Sequence, residues 1–424
     1  MGDRDISILM FADDIALITD SEDKLQQMLN KVYSWCNRWR LTLNLDKTKI
    51  VHYRHPSQSR SSRVFMYGQG EIGICDKYKY LGLWMHELMD YGETVRPLSS
   101  SANRALGALI TKVKNIGGMS YDMFTRLYES LVLPVLNYGA AIWGTAKYHC
   151  ANVIQNRASR YFLGVGRNTS NDATRAEMGW KPQLHRQYIE ILRLHCRLQT
   201  LPSNRLTADI HKFCLNSGNT SLWENRVQKL FAKLNIDLPR NEFTVKNVIR
   251  NFSNTLQVID QETWYHDIWQ DRGCPNGNKL RTFRLYKTRM VVEPFIQNLP
   301  RYARSTLSRL RCGSLPLNIE TGRFKNVNLE DRICSLCNSN VIEDEMHFTI
   351  DCSFYDDIRF NMLQSFDTSY NGFMSRTSLD KFCTIMSEKD VSLCKLLAKL
   401  LITCLKEDNH LGEIICDIIC DYQR

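Results

Sequence analysis

The sequence predicts an α+β fold: an antiparallel β-hairpin and a helix come first, a mostly α-helical chain follows, and a small cysteine-rich unit lies near the C-terminal end. Two short apolar runs flank residues 11–14, as expected of two strands joined by a tight turn. From residue 91 onward apolar residues recur every three or four positions, the spacing of amphipathic helices. Residues 334–352 contain three Cys and one His at close spacing.

The composition is that of a multi-domain globular protein of a reducing compartment. The chain has 424 residues, enough for two or three cores, and is 43% hydrophobic and 24% charged with a net charge of +10. Its 15 cysteines form no compact disulfide framework. The first ten residues lack the apolar core of a signal peptide, and the most apolar segment, Leu393–Leu405, is too short to span a bilayer. We therefore expect an intracellular protein, in the nucleus or the cytoplasm, without a membrane partner.

The predicted hairpin carries two adjacent carboxylates, Asp13 and Asp14, at its tip. Two-residue turns between strands favour Asn-Gly or Asp-Gly. Neighbouring carboxylates repel each other unless a hard divalent cation such as Mg²⁺ shares their oxygens. An ordinary acidic turn is the alternative interpretation, and the preceding Phe11-Ala12 favours the metal site.

The block from Phe11 through Asp14, continued by Ile-Ala-Leu-Ile-Thr-Asp, resembles the palm motif of reverse transcriptases, specifically those of non-LTR (LINE-type) retrotransposons. The resemblance implies an RNA-directed DNA polymerase, a nucleotidyltransferase that uses two Mg²⁺ ions to align the primer 3′-hydroxyl with the incoming triphosphate. By position, Asp13 and Asp14 match the catalytic metal ligands, and Phe11 and Ala12 lie beside nucleotide and primer. The implied partners are an RNA template and a DNA primer or target.

The family's catalytic centre also needs a third carboxylate, on an earlier strand of the palm. Only ten residues precede Phe11, and Asp3 and Asp5 stand in or beside the hairpin's own first strand, so neither can substitute. Positioning and charge neutralisation supply almost all the acceleration of phosphoryl transfer. We therefore expect the chain alone to be inactive as a polymerase.

The following segments agree with a palm. A helical stripe begins after Asp20, predicted as its N-cap, and continues to Trp39. Lys47 and Lys49 then match a family segment near the triphosphate, although two solvated lysines are an equal alternative. Further on, Leu81 and Gly82 match the hairpin that holds the primer end, where a glycine allows close backbone approach.

The cysteine-rich unit has the spacing C-x₂-C-x₉-H-x₄-C, formed by Cys334, Cys337, His347 and Cys352. Three thiolates and a neutral imidazole can close a tetrahedral zinc site, and a closed site of this type is structural. Three free thiols and a packed histidine are the alternative. Similar Cys-Cys-His-Cys knuckles follow the thumb in many LINE polymerases.

A basic segment precedes the knuckle. Residues 279–325 contain 11 Lys or Arg and only Glu293 and Glu320 as acids, with aromatic residues between them. This mixture is typical of nucleic-acid contact, although a solvated helix face gives the same pattern. The predicted contacts are Arg281, Arg284, Lys287, Arg289, Arg301, Arg304, Arg309 and Arg311. The knuckle itself is acidic, which would repel phosphate.

These observations divide the chain into six regions: 1–90 partial palm, 91–150 helical thumb, 151–278 helical linker, 279–330 basic segment, 331–360 zinc knuckle and 361–424 helical tail. Three hypotheses remain for the function. The chain is a truncated copy or mis-joined piece of a reverse transcriptase, a non-catalytic RNA- or DNA-binding protein derived from one, or a scaffold whose acidic knuckle binds a protein.

Overall fold

The computed structural model describes residues 7–216, 222–237, 245–270 and 279–407, and it is mostly α-helical. Within these described ranges the strands are short and form four separate two-stranded sheets. Three pairs are antiparallel: β1 (Ile8–Phe11) with β2 (Asp14–Leu17), β4 (Phe65–Tyr67) with β5 (Gly70–Ile72), and β7 (Lys77–Tyr80) with β8 (Leu83–His86). The fourth pair, β3 (Ile50–Val51) with β6 (Ile74–Cys75), is parallel. Helices combined with small, mainly antiparallel sheets are the α+β class that the sequence predicts.

The α-helices of the described residues are α1 (Glu22–Arg38), α2 (Gly92–Asn115), α3 (Tyr121–Leu127), α4 (Leu133–Leu136), α5 (Ala140–Trp143), α6 (His149–Leu163), α7 (Asn171–Met178), α8 (Gln183–Thr200), α9 (Leu206–Asn216), α10 (Leu222–Lys233), α11 (Val245–Trp269), α12 (Phe283–Tyr286), α13 (Pro294–Asn298), α14 (Arg301–Arg311), α15 (Asn318–Phe324), α16 (Asp356–Ser369), α17 (Ser378–Met386) and α18 (Val391–Glu407). Two π-helical turns span Tyr128–Val132 and His347–Asp351. None of these helices is both long and apolar enough to cross a bilayer.

Two compact units make up the chain, each assembled from three segments. The first contains Met1–Leu98, Gly139–Tyr148 and Glu190–Val245, and the second contains Ser99–Tyr138, His149–Ile189 and Lys246–Arg424. The six sequence regions stay a prediction. Asp3 and Asp5 lie outside the described residues, as does the end of the predicted tail after residue 407.

The N-terminal part of the first unit packs α1 on the short strands. Leu29 on α1 is buried with Phe65, Tyr67 and Ile72 of the β4–β5 hairpin, and Leu17 of β2 packs against this cluster. The helix begins at Glu22 with Ser21 as N-cap, one residue later than predicted. Asp20 instead pairs with Lys24, with 2.9 Å between Oδ1 and Nζ. The predicted cap was wrong by one residue because either short polar residue can fill this position.

The second unit is built around buried aromatic rings. The ring of Phe124 on α3 stacks on Phe162 of α6 at 4.9 Å, and Tyr128 stacks on Trp180 at 4.6 Å. A second cluster places Trp264 of α11 against Phe283 of α12, both essentially fully buried. Stacked or edge-on rings contribute beyond the area they bury, and the contact of Trp264 with Phe283 fixes α12 of the basic segment against α11.

Candidate functional site

The predicted hairpin is present at the N-terminal end, and its turn differs by one residue from the expected one. Phe11 pairs with Asp14, so Ala12 and Asp13 form the two-residue turn and Asp14 begins β2. Ala12 takes the left-handed conformation, with φ of 52°. The sequence argument expected both aspartates in the turn. The observed register instead places one carboxylate in the turn and the next at the first strand position, and both residues are exposed.

The surroundings of this tip are apolar and exposed. Phe11 is 63% exposed and Met10 67% exposed, while Ile8 and Ile15 are also exposed. Among the described residues, Asp13 and Asp14 do not belong to a converging group of three or more metal-binding side chains. The tip therefore carries two exposed carboxylates beside exposed apolar side chains.

The predicted triphosphate segment and primer hairpin lie in the same unit as the tip. Lys47 and Lys49 are exposed, and the turn before them is held by Asn44, whose side chain accepts a hydrogen bond from the Lys47 backbone at 3.1 Å. The second predicted hairpin is β7–β8, with Tyr80 paired to Leu83 across the turn Leu81-Gly82. Both turn residues have positive φ, 46° and 86°, as a type I′ turn requires.

The four Cys and His residues of the predicted knuckle converge. The ligand atoms of Cys334, Cys337, His347 and Cys352 all lie within 4.8 Å of one another. The Sγ atoms of Cys334 and Cys352 are 3.8 Å apart, and Cys337 Sγ is 3.4 Å from His347 Nε2. Two sulfurs bound to a tetrahedral Zn²⁺ at about 2.3 Å lie about 3.8 Å apart, and a sulfur and a nitrogen about 3.6 Å apart. The observed spacings fit such a site.

Local backbone geometry brings these residues together. Ile333 and Ile342 form an antiparallel bridge, and the Cys334 backbone donates to the Val341 carbonyl at 2.8 Å, which closes the loop that carries Cys337. His347 and Cys352 are five residues apart, and in an α-helix such residues point about 140° away from each other. The wider π-turn avoids this, because the Cys352 backbone donates to the His347 carbonyl at 2.8 Å. The π-turn therefore lets both ligands face one point.

The three thiols of the cluster differ in the direction in which their surroundings shift the pKa. Burial raises the pKa of Cys352 to about 12 and also raises the pKa of Cys334. Burial acts in the same direction at Cys337, but hydrogen bonds from Ser339 and the neighbouring thiols lower its pKa overall. Because thiolates are the metal-binding form, a cation in this cluster would have to offset the desolvation of two sulfurs.

The acidic residues around the knuckle serve partly as internal partners. Glu345 is buried and accepts from Arg281 Nη2 at 2.7 Å, and Glu343 accepts from the Asn318 backbone at 2.7 Å. Asp344 caps the His347 backbone at 2.8 Å. Glu343 and Glu345, which the sequence assigned to a repulsive acidic face, are therefore buried against residues of the basic segment. The knuckle and the basic segment form one packed body.

The eight predicted nucleic-acid contacts differ in burial, and the three buried ones, Lys287, Arg304 and Arg311, correct the expectation that all eight can contact nucleic acid. Lys287 is buried and pairs with Glu293, and its Nζ also donates to the Val291 carbonyl at 2.7 Å. Arg304 is buried with its guanidinium 3.8 Å from the ring centre of Phe162. Side chains in these positions cannot contact phosphate without breaking the core.

Arg311 is also buried, between a carboxylate and aromatic rings. Its Nη2 lies 2.8 Å from the carboxylate of Glu177, it donates to the Met386 carbonyl, and its guanidinium is 4.7 Å from the ring centre of Tyr286. Glu177 is fully buried. This pair is structural because a buried guanidinium needs its carboxylate.

The other five are half-buried or exposed: Arg281, Arg284, Arg289, Arg301 and Arg309. Arg281 bridges the carboxylates of Glu320 and Glu345. Arg289 is exposed, and Arg284 lies over the Trp269 ring at 5.0 Å. Arg301 lies over Tyr161 at 4.7 Å, and Arg309 Nε donates to the Gly164 carbonyl at 2.9 Å. The aromatic residues divide likewise: Phe283 and Phe295 are buried, whereas Tyr302 and Phe324 are exposed.

Comparison with known proteins finds one matching family model and several relatives from mobile elements. Residues 2–85 match the family model described as reverse transcriptase (RNA-dependent DNA polymerase). The RNA-directed DNA polymerase of the mobile element jockey of Drosophila melanogaster is 22% identical over 215 residues, covering 46% of this chain and 23% of that protein. The Pol polyprotein of the type-1 retrotransposable element R1 of Nasonia vitripennis is 24% identical over 191 residues, covering 41% of this chain and 56% of that protein.

Residues 2–85, the reverse transcriptase segment, are thus similar in sequence to that family, and both relatives are proteins of mobile or retrotransposable elements. A putative transposon-derived protein of Caenorhabditis elegans is 27% identical over 191 residues, 45% of this chain and 64% of that protein. These matches span less than two thirds of each relative's own length. No solved structure matches the chain. The reverse transcriptase segment contains the carboxylate tip, Lys47, Lys49 and the turn Leu81-Gly82.

Proposed function

We propose that this chain is part of an RNA-directed DNA polymerase of a non-LTR retrotransposon, with Asp13 and Asp14 as its Mg²⁺ ligands. The observation that carries the proposal is the pair of adjacent carboxylates at a hairpin tip inside the reverse transcriptase segment. RNA template and DNA primer or target are the proposed partners.

In this proposal the side chains of the tip bind the metal ions, and the hairpin backbone fixes their positions. The exposed carboxylates of Asp13 and Asp14 supply oxygen ligands, which hard divalent cations prefer. Bound Mg²⁺ would neutralise phosphate charge and align the primer 3′-hydroxyl with the triphosphate. The turn places Asp14 at the start of β2, paired with Phe11, so its backbone is fixed by the strand. Phe11 and Ala12 then lie beside the nucleotide and primer.

The remaining residues of the segment are proposed to contact substrate. Lys47 and Lys49 are exposed cations on a loop ordered by Asn44, suited to the triphosphate. Leu81 and Gly82 form a tight two-residue turn whose backbone can approach a primer end closely.

Metal-directed cleavage of the purified chain tests the carboxylate site. Fe²⁺ substituted for Mg²⁺, with ascorbate and peroxide, generates hydroxyl radicals that cut the backbone near the bound ion. We expect cuts within residues 11–17, competed by Mg²⁺ and lost in Asp13→Asn with Asp14→Asn. The exposed Asp46→Asn in the same segment is the matched control and should leave the cuts unchanged. Cuts that persist in the double variant would remove Asp13 and Asp14 as ligands.

A structural zinc ion at Cys334, Cys337, His347 and Cys352 is the second part of the proposal. The donor set, the spacing of its atoms and the π-turn that aligns His347 with Cys352 support it. The ion would hold the loop between Ile333 and Ile342 to the π-turn His347–Asp351, beside the ion pair of Glu345 with Arg281.

Metal analysis tests the zinc site directly. The purified chain should contain one equivalent of zinc, and Cys334→Ser with Cys337→Ser should lose it and lower the melting temperature. Cys150→Ser with Cys383→Ser is the matched control, since both are half-buried thiols outside the cluster. Zinc retained by the first variant at the level of the second would refute the site.

A second candidate function is RNA or DNA binding without catalysis. The cations Arg284, Arg289, Arg301 and Arg309 favour it, because none of these four side chains is buried. Nucleic-acid affinity that falls steeply with salt is expected for either function. Loss of metal-directed cleavage at the hairpin tip, with this binding intact, would favour the non-catalytic function.

A further inference from the structure

A short loop between α6 and α7 collects cations from three parts of the chain. We call residues 164–169, Gly-Val-Gly-Arg-Asn-Thr, the 164–169 loop. Its first carbonyl, that of Gly164, accepts from Arg309 Nε at 2.9 Å and from Ser305 Oγ at 2.8 Å. The Asn168 carbonyl accepts from Lys279 Nζ at 2.9 Å. The Thr169 carbonyl accepts from Arg160 Nη2 at 2.8 Å.

The loop groups that accept these hydrogen bonds are neutral carbonyls, so they do not offset the positive charge of the side chains that donate to them. Arg160 donates to the Thr169 carbonyl and, at 2.6 Å, to the amide oxygen of Asn171, and its burial lowers its pKa. The loop sequence contains no acid and adds Arg167, which is exposed at its tip. Lys279 also lies 3.3 Å from Glu320, a carboxylate shared with Arg281 and Arg323. The positive charge of the Lys and Arg side chains around the loop therefore exceeds the negative charge of the carboxylate that pairs with them.

Helix α14 presents one face to this loop. Arg301, Ser305 and Arg309 are spaced by four residues and so lie on one side of the helix, and Ser305 touches the loop. Tyr302, one turn before Ser305, is 39% exposed on the adjoining stripe. Arg301 is held over the ring of Tyr161, which belongs to α6 just before the loop.

We propose that the 164–169 loop together with Arg160, Lys279, Arg301 and Arg309 is a binding site for the phosphate backbone of single-stranded nucleic acid. The inference rests on the proposed nucleic-acid-binding function and locates it on the second unit. Cations aligned with exposed loop backbone suit a chain of phosphates, and contacts of this kind bind without reading sequence. The exposed ring of Tyr302 beside them suits an unpaired base, since bases stack on aromatic rings only when they are free of a duplex.

Binding of a labelled 20-nucleotide RNA to the full chain, measured across a series of salt concentrations, tests the site. Each phosphate contact to a single strand contributes about 0.7 to the slope of log K against log salt. Arg167→Gln with Arg301→Gln and Arg309→Gln should therefore reduce the magnitude of the slope by about 2. The control triple variant, Lys389→Gln with Lys395→Gln and Lys399→Gln, removes the same charge from exposed positions of the second unit and should leave the slope within about 0.5 of wild type.

Further variants and a second nucleic acid show which part of the proposal is wrong if binding does not change as expected. Arg167→Gln alone, at an exposed position, should reduce the slope by about 0.7 and guards against misfolding of the triple variant. Tyr302→Ala should weaken binding roughly 5- to 150-fold with the slope unchanged, whereas Phe324→Ala, which removes a more exposed ring on α15, should not. Single-stranded DNA should give the same slope change as RNA, because phosphates are contacted in both.

Absence of salt-dependent binding by the wild-type chain would overturn the nucleic-acid function and the site together. Wild-type binding with equal slopes in the two triple variants would overturn the site alone. Tighter binding of duplex than of single strands, or an equal loss on Phe324→Ala, would overturn the assignment to unpaired strands.

Discussion

Replacing Arg311 by Met is expected to destabilise the second unit strongly, although the sequence marks Arg311 as a nucleic-acid contact. The side chain is only 5% exposed, and its Nε and Nη2 donate to one oxygen of Glu177 at 3.1 and 2.8 Å. Tyr286 and Phe295 lie on its guanidinium at 4.7 and 5.4 Å. Met fills a similar volume but leaves the fully buried Glu177 carboxylate without its main partner.

The size of the effect follows from that uncompensated charge. Removing one partner of a buried ion pair costs about 3–5 kcal/mol. For a unit of this size the melting temperature falls by roughly 2–4 °C per kcal/mol, so a drop of about 6–20 °C is expected. Replacing both partners removes the stranded charge, and Arg311→Met with Glu177→Leu should recover part of the loss.

Circular dichroism during thermal and urea unfolding measures this stability, and RNA binding against salt is measured in parallel. Arg289→Met is the control, because Arg289 belongs to the same basic segment and is exposed; its change in stability should stay within about 0.5 kcal/mol. If Arg311→Met leaves unfolding unchanged and instead lowers the salt dependence of RNA binding, the assignment of Arg311 to the core is wrong.

Three further predictions concern positions that the fold constrains. The side chains of Arg60 and then Arg54 lower the pKa of Glu87 to about 2, against the opposing effect of burial. The ionised Glu87 should therefore stabilise the fold fully above pH 4.5, and this contribution should be lost as pH falls toward 2. Acid unfolding of Glu87→Gln should lack this pH dependence. Leu81→Asn should stabilise the chain by about 0.5–1 kcal/mol in thermal unfolding, because Leu81 has φ of 46°, and a destabilised variant would contradict the type I′ turn. Gly164→Ala should cost about 1–3 kcal/mol, since φ is +68° and its Cβ would lie 2.4 Å from Ser305 Oγ; unchanged unfolding would contradict the observed approach of α14 to the loop.

Local sequence patterns predicted the features whose parts are neighbours along the chain. Phe11–Asp14 between two apolar runs predicted a hairpin, and the structure contains it, shifted by one residue at the turn. The spacing from Cys334 to Cys352 predicted a converging set of four ligands, and all four converge. These predictions succeeded because a tight turn or a short loop closes within a few residues, so local geometry and residue type suffice.

Only the tertiary structure decided which charges are available. Arg311 and its partner Glu177 are 134 residues apart, and Arg281 meets Glu345 across 64 residues. The cations around the 164–169 loop come from α6, from the loop, from Lys279 and from α14. Whether a cation faces solvent or a buried carboxylate depends on which distant helices pack beside it, and the periodicity of its own helix contains no information about that partner. The sequence by itself therefore determined the hairpin, the ligand spacing and the net charge, while the packing of distant helices determined where that charge is exposed.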